Sequence, residues 1–357
     1  MATSDDPNDL NRLGAFVAVA VPLLVRIDRP NFGLLRGADY VGMALMAIFL
    51  GCLEYTLEEG PRWDWFGDDT IRTTAAIAAL SGPLFIWRSM TYRNPVLDLS
   101  ALAIRNFGLG SLLSFVTGIG IFATIYLTPL FLARVRWFSA QEIGWAVFST
   151  GLFQIAAIPV YTVLARRIDL RWLMAFGLLC FGAGLWSFTP ITHDWGADQL
   201  LLPQAVRGFA QQFAVAPIVT LALGSLPQER LKSASGLFNL MRNLGGAIGI
   251  AGCGTILNDR TNLHFARIAE SLSPTNTTAA QVLQRLTEKF TAFYHGDAVL
   301  GHAAALQQLY NLALREALTE TFADAFLLIS LCLFAMVVLV PLMRPVTPPK
   351  APSADAH

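Results

Sequence analysis

The chain has 357 residues, 54% hydrophobic and 14% charged, with 25 Lys/Arg balancing 25 Asp/Glu. Soluble domains carry about 25% charged residues, so this is the composition of a membrane protein, in line with a mean hydropathy of +0.52. Zero net charge without a basic block excludes nucleic-acid binding. Cys52, Cys180, Cys253 and Cys332 lie far apart in apolar runs without CxxC spacing and read as small core residues.

The N-terminus, MATSDDPNDLNR, is acidic and lacks the basic region of a signal peptide. A short apolar run at 13–27, interrupted by Pro22, reads as a poor span or the remnant of one. A spanning helix needs roughly 17–25 mostly apolar residues. Eight runs satisfy this: 38–57, 71–90, 107–133, 143–164, 172–190, 200–226, 232–257 and 321–343. Between the last two, segment 258–320 places apolar residues at helical spacing with charges between them, as in AAQVLQRLTEKFTAFY. Two or three amphipathic helices on the outer face are predicted there, either as a cap packed on the bundle or as a docking surface for a partner protein. NTT at 276–278 matches a glycosylation acceptor, a triplet common by chance.

Orientation follows from the Lys/Arg bias of short loops. With the C-terminus cytoplasmic, Arg88, Arg93, Arg105, Arg166, Arg167, Arg171, Arg230, Lys232 and Arg344 fall inside, while the short outer segments are poorer in them. ARVRW at 133–137 runs against this bias.

Charged and polar residues inside spans are expensive and must avoid lipid. Gln204, Arg207 and Gln211 share one helical face, and Pro217 is expected to kink their helix. On the next span Ser235, Asn239, Arg242, Gly246, Gly249 and Cys253 form a small or polar stripe, and Gly245-xxx-Gly249 is a close-packing motif. Arg242 lies ten residues beyond Lys232, about 15 Å along the helix, which places it near the midplane. Two readings stand for it, lining of the bundle interior and packing alone. Arg207 divides between a functional role and a structural polar network. Glu54 and Asp324 read as interfacial, and neither makes a convincing proton carrier. HDWGAD at 193–198 has the His-x4-Asp spacing of acyltransferases without their other motifs, and GIGIFA at 118–123 mimics a dinucleotide fingerprint inside a span. No metal cluster or cofactor site is expected.

These stretches carry a resemblance. AVRGFAQQFAVAPIVTLALGSLPQERLKSASGLFNLMRNLGGAIGIAGCGTIL resembles the corresponding helix pair of EmrB/QacA-type drug:proton antiporters, the fourteen-helix branch of the major facilitator superfamily. NPVLDLSALAIRNF at 94–107 is similar to that family's junction into its C-terminal bundle, and DWF at 64–66 to the loop between its two extra central helices. LARRIDLRWL at 164–173 resembles a degenerate form of its cytoplasmic loop motif, with Thr162 and Arg166 replacing a glycine and an aspartate.

The resemblance implies an all-α integral membrane protein with a partial major facilitator fold. Residues 1–30 are then the remnant of the last N-bundle helix, and 31–100 are two linker helices. Residues 101–345 are a six-helix C-terminal bundle carrying the outer amphipathic loop 258–320, and 346–357 are a cytoplasmic tail. It implies no enzyme but proton-coupled export of hydrophobic or amphipathic compounds across a bacterial inner membrane. Gln204, Arg207, Gln211, Asn239 and Arg242 would line or support the transport cavity, and Gly245, Gly246 and Gly249 would pack helices. Substrates and protons are the implied partners, with a periplasmic adaptor at 258–320 and a separate N-terminal half. About five spans of a fourteen-helix member have no counterpart here, so a fragment, a half working with a separate N-half and a non-transporting assembly or docking subunit are the alternatives.

Overall fold

The computed structural model describes Gly14 and residues 39–93, 95–272 and 276–345, with the backbone alone at Lys232. The chain divides into Met1–Tyr40 and Val41–His357. Apart from Gly14, the expected remnant at 13–27 lies outside the described residues, as does the tail 346–357.

Among the described residues nine helices are complete and there is no strand: α1 (Tyr40–Glu59), α2 (Asp69–Thr91), α3 (Arg105–Arg134), α4 (Ala140–Ala165), α5 (Leu170–Trp186), α6 (Ala197–Leu223), α7 (Gln228–Ser271), α8 (Thr277–Phe293) and α9 (Ala298–Val337). Six of these, α1, α3, α4, α6, α7 and α9, are long and apolar enough to cross a membrane. Helix α5 has 17 residues, the shortest length that spans hydrocarbon. Helix α2, which covers the expected span 71–90, is not among the six; Thr73, Thr74, Ser81, Gly82 and Pro83 dilute its apolar run.

Helices α7 and α9 outrun their expected spans. With 44 and 40 residues they extend about 66 and 60 Å, twice the ~30 Å hydrocarbon layer. Hydropathy falls where charges begin, yet 255–271 and 302–320 contain no glycine or proline to stop a helix. Segment 258–320 therefore consists of the C-terminal part of α7 and the N-terminal part of α9 with α8 between them in the chain. Asn276 of the NTT triplet caps α8, its side chain accepting from the amides of Thr278 and Ala279.

Helix α3 lies at the centre, packed on α7, α6 and α9, while α6 also packs on α4 and α5. Its buried face carries Phe107, Leu113, Leu127, Phe131 and Leu132. Helix α4 instead exposes Trp145, Phe148, Leu152, Ile155 and Val163, an apolar surface suited to lipid.

The loops tie the bundle ends together. Arg105 Nε donates to the Leu342 carbonyl (2.7 Å), and Asn106 exchanges two hydrogen bonds with the Arg344 backbone (2.9 and 2.8 Å). In the α4–α5 loop Asp169 caps α5. Its hydrogen bonds from Arg171 hold the Asp169 carboxyl below the usual range. Arg136, the exception to the charge bias, donates to the His193 carbonyl (3.1 Å) and lies over the Phe138 ring; it joins two loops.

The C-terminal part of α7 and the N-terminal part of α9 are joined by polar groups. His264 Nδ1 is 2.8 Å from Glu320 Oε2, and its Nε2 is 2.9 Å from Asp324 Oδ2. Thr261 donates to Thr321 (3.2 Å) and Arg260 approaches Asp324 (3.5 Å). Replacing His264 with alanine removes the partner the two carboxylates share, but both reach water and Asp324 keeps Arg260, so the cost is about 1 kcal/mol. Amide hydrogen exchange in 259–271 and 312–324 is expected to accelerate correspondingly. Unchanged protection there would show that apolar packing alone holds the pair.

Candidate functional site

The polar residues inside the spans fall into two groups at different levels of α3. The first centres on Arg207 of α6, which is 2% exposed, beside Gln204 at 0%. Arg207 Nη1 donates to Thr124 Oγ1 of α3 (2.6 Å), and Nη2 to Thr150 Oγ1 of α4 (2.8 Å). Thr150 donates onward to Gln204 Oε1 (2.8 Å), while Gln204 Nε2 donates to the Ala146 carbonyl (3.0 Å). Thr124 donates to the Gly120 carbonyl (2.7 Å). Among the described residues no carboxylate meets the guanidinium, and its Nε has no partner. A cation without a counter-ion at this depth is held only by neutral dipoles.

Close backbone approach permits this arrangement. A Cβ on Gly208, next to Arg207, would sit 2.3 Å from the Thr150 carbonyl oxygen. Only glycine there lets α4 come near enough for Thr150 to reach Arg207.

The second group surrounds Arg242 of α7. It is half-buried, its Nε donates to Ser114 Oγ (3.4 Å), and the guanidinium lies 5.3 Å from the Phe238 ring centre. Ser114 and Thr124 are ten residues apart on α3, about 15 Å, so the two arginines do not share one site. Asn239 is exposed and Gln211 half-buried. The α7 glycines face α3: Cβ atoms on Gly245 and Gly249 would meet the Phe115 carbonyl oxygen (2.0 Å) and the Ile119 Cα (3.0 Å). On the facing helix, a Cβ on Gly118 would lie 2.2 Å from the Arg242 carbonyl oxygen. Gly246 meets the Phe122 ring.

The threonines that hold Arg207 were not anticipated, although a signal existed. Ser111, Ser114, Thr117, Gly118, Thr124 and Thr128 recur along one face of α3 at helical spacing. All are buried, and the Ser111 and Thr128 hydroxyls have no partner among the described residues. No group of His, Cys, Asp and Glu among the described residues could hold a metal.

Apolar spans around buried cationic networks define an α-helical integral membrane protein with polar machinery inside the bundle. Residues 110–347 match the Major Facilitator Superfamily, and the chain belongs to that family. It is similar to the colistin resistance protein EmrB of Acinetobacter baumannii, 32% identical over 321 residues covering 90% of this chain and 62% of the relative. It is also similar to the multidrug export protein EmrB of Escherichia coli, 32% identical over 255 residues covering 70% of this chain and 49% of the relative. The fatty acid resistance protein FarB of Neisseria gonorrhoeae is 26% identical over 251 residues, 70% of this chain and 50% of FarB. The chain thus spans about half to three-fifths of the length of these curated relatives. They are named for export and resistance, not for enzyme activity.

Proposed function

We propose that the chain takes part in export of small hydrophobic or amphipathic compounds across a bacterial inner membrane, coupled to protons, with its C-terminus in the cytoplasm. The observation that carries this reading is polar surface at bilayer depth. Asn239 is exposed and Arg242 half-exposed, the latter 14 residues into α7 and so about 21 Å from its start. Lipid cannot solvate such groups, so that face belongs against water, substrate or another protein surface. The names of the EmrB relatives add support for the substrate class.

In this reading Asn239, Arg242 and Gln211 face the transport cavity, and Gln204 and Arg207 form its supporting network. Gly245, Gly246 and Gly249 hold α7 against α3. Arg242 attracts anionic substrate or holds the inner gate, without carrying the proton. The domain reading extends this: residues 1–30 end an N-terminal bundle, 31–100 supply two linker helices, 101–345 form the C-terminal bundle, and 346–357 are a tail. An N-terminal half supplies the opposing wall for alternating access, and a periplasmic adaptor docks on 258–320.

Dye efflux from cells expressing the chain is the measurement. Export by the chain alone excludes a non-transporting subunit, and absence of export both alone and with a co-expressed N-terminal bundle overturns the reading. In a full-length relative, alanine at the position matching Arg242 is expected to cut efflux about tenfold, the order for losing one charge-assisted contact, with membrane insertion at the parent level. Undiminished efflux would remove Arg242 from the site.

A further inference from the structure

A groove of about 560 Å³ opens beside the first turns of α3, lined by Leu102, Arg105, Gly108, Leu109, Leu112 and Leu342. Its floor depends on one glycine. A Cβ on Gly108 would lie 2.3 Å from the Leu102 carbonyl oxygen, so only glycine lets the short helical turn Leu99–Ala103 fold against α3. Leu102, Leu112 and Leu342 are 37%, 41% and 45% exposed. Of residues 106–124 on this central helix, Leu112 alone is exposed; the groove is where α3 surfaces.

Charge and apolar surface are ordered by depth. Arg105, Gly108, Leu109 and Leu112 stand at i, i+3, i+4 and i+7 and share one helical face. The 30 residues of α3 extend about 45 Å, roughly 15 Å more than the hydrocarbon layer. With that excess shared between its ends, Arg105 lies among the lipid headgroups. Leu112, about 10 Å further along, lies in hydrocarbon.

The guanidinium is fixed but not neutralised. Arg105 Nε donates to the Leu342 carbonyl (2.7 Å), while among the described residues its two Nη groups have no hydrogen bond and no carboxylate partner. No acidic side chain lines the groove. Two carboxylates of neighbouring elements have arginines of their own: Asp98 pairs with Arg230 (3.7 Å) and Asp169 with Arg171 (2.8 Å). Arg344, whose backbone is bonded to Asn106, adds a second exposed cation to this end of the bundle.

We propose that this groove binds an anionic phospholipid, with its phosphate on the Arg105 Nη groups and an acyl chain along Leu102, Leu109, Leu112 and Leu342. Charge complementarity selects the occupant. A guanidinium fork matches phosphate oxygens, whereas a zwitterionic lipid brings a like charge to the same place. A free phosphate would leave the leucines without a partner. The lipid bridges the start of α3 and the segment after α9, which meet at the Leu342 carbonyl. The inference concerns binding alone and stands whether or not the chain exports anything.

Native mass spectrometry of the full chain in nonionic detergent counts bound lipid as dioleoylphosphatidylglycerol or dioleoylphosphatidylcholine is added. Phosphatidylglycerol is expected to bind about fivefold more tightly, the order for one arginine beside an anionic headgroup. Arg105→Gln is expected to lose that preference, and Arg105→Lys, which keeps the charge, to retain most of it. Leu112→Asn, which interrupts the apolar wall, is expected to weaken phosphatidylglycerol binding with Arg105 intact. Arg134→Gln removes an equal charge at the far end of α3 and is expected to change nothing. Equal binding of the two lipids overturns the proposal, as does loss of the preference in Arg134→Gln or in the lysine variant. Glycerol phosphate, the headgroup without its chains, is expected to displace no lipid at equal concentration; displacement would mean a free-anion site and overturn the lipid assignment. Because Arg105 and Leu112 are exposed, circular dichroism of their variants is expected to match the parent; binding lost only together with helicity counts against the site.

Discussion

Arg207→Met is expected to leave the protein at least as stable as the parent, with a gain of up to about 4 kcal/mol, while removing its buried charge. Replacing buried ionic groups with apolar residues of similar size is often neutral or stabilising by about 1–4 kcal/mol, because desolvation outweighs the contacts made. Here that balance is especially unfavourable to the arginine, which has no carboxylate partner and an unpaired Nε. Methionine also strands nothing. Thr150 keeps Gln204 as acceptor, and Thr124 keeps the Gly120 carbonyl.

Thr150→Val should act in the opposite direction. It removes the acceptor of Arg207 Nη2 and the donor to Gln204 Oε1, leaving two buried polar groups at about 1–3 kcal/mol each. Thermal unfolding in detergent compares the two variants. If methionine destabilises by more than about 2 kcal/mol, or valine is neutral, the network holds the fold in another way. A stabilising Arg207→Met that also loses efflux would mean that the charge is retained for function at the expense of stability.

The second large effect concerns the α3–α7 contact. Gly245→Ala is expected to destabilise by about 2–3 kcal/mol, the upper range for overpacking, because the new methyl would meet the Phe115 carbonyl oxygen at 2.0 Å. Backbone cannot rotate out of the way as a side chain can, so the helices must separate. Gly249→Ala, with Ile119 Cα at 3.0 Å, should cost less. Gly252→Ala meets nothing within 4 Å and should stabilise by up to about 1 kcal/mol through helix propensity. Three substitutions of the same chemistry on one helix thus change sign with the distance to α3. A flat series would mean that the two helices do not touch through these glycines.

These two predictions separate what periodicity could convey from what it could not. The stripe through Asn239, Arg242, Gly246 and Gly249 was legible because a helix repeats every 3.6 residues, whatever it packs against. The α3 stripe from Ser111 to Thr128 was equally legible by that rule, yet serine and threonine cost little in a span and draw no attention beside an arginine. Which residues meet across helices lay beyond the same rule. Gln204 and Arg207 reach Thr150 and Thr124 because three helices converge where Gly208 clears the way. Asn239, on the stripe, turned out exposed. The lengths of α7 and α9 were missed for a different reason: hydropathy marks where a helix leaves the membrane, not where it ends.

By itself, then, the sequence determined that the chain is an all-helical membrane protein, roughly where six of its apolar helices lie, and that two arginines enter them. Those properties follow from composition and local repeat, which each segment carries alone. The tertiary structure decided that the arginines occupy separate levels, that one is desolvated among neutral hydroxyls, and that Arg105 lines an apolar groove. Such pairings depend on the interhelical distances set by particular glycines and on residues nearly two hundred positions apart, such as Trp65 and Thr255, and no single helix encodes them.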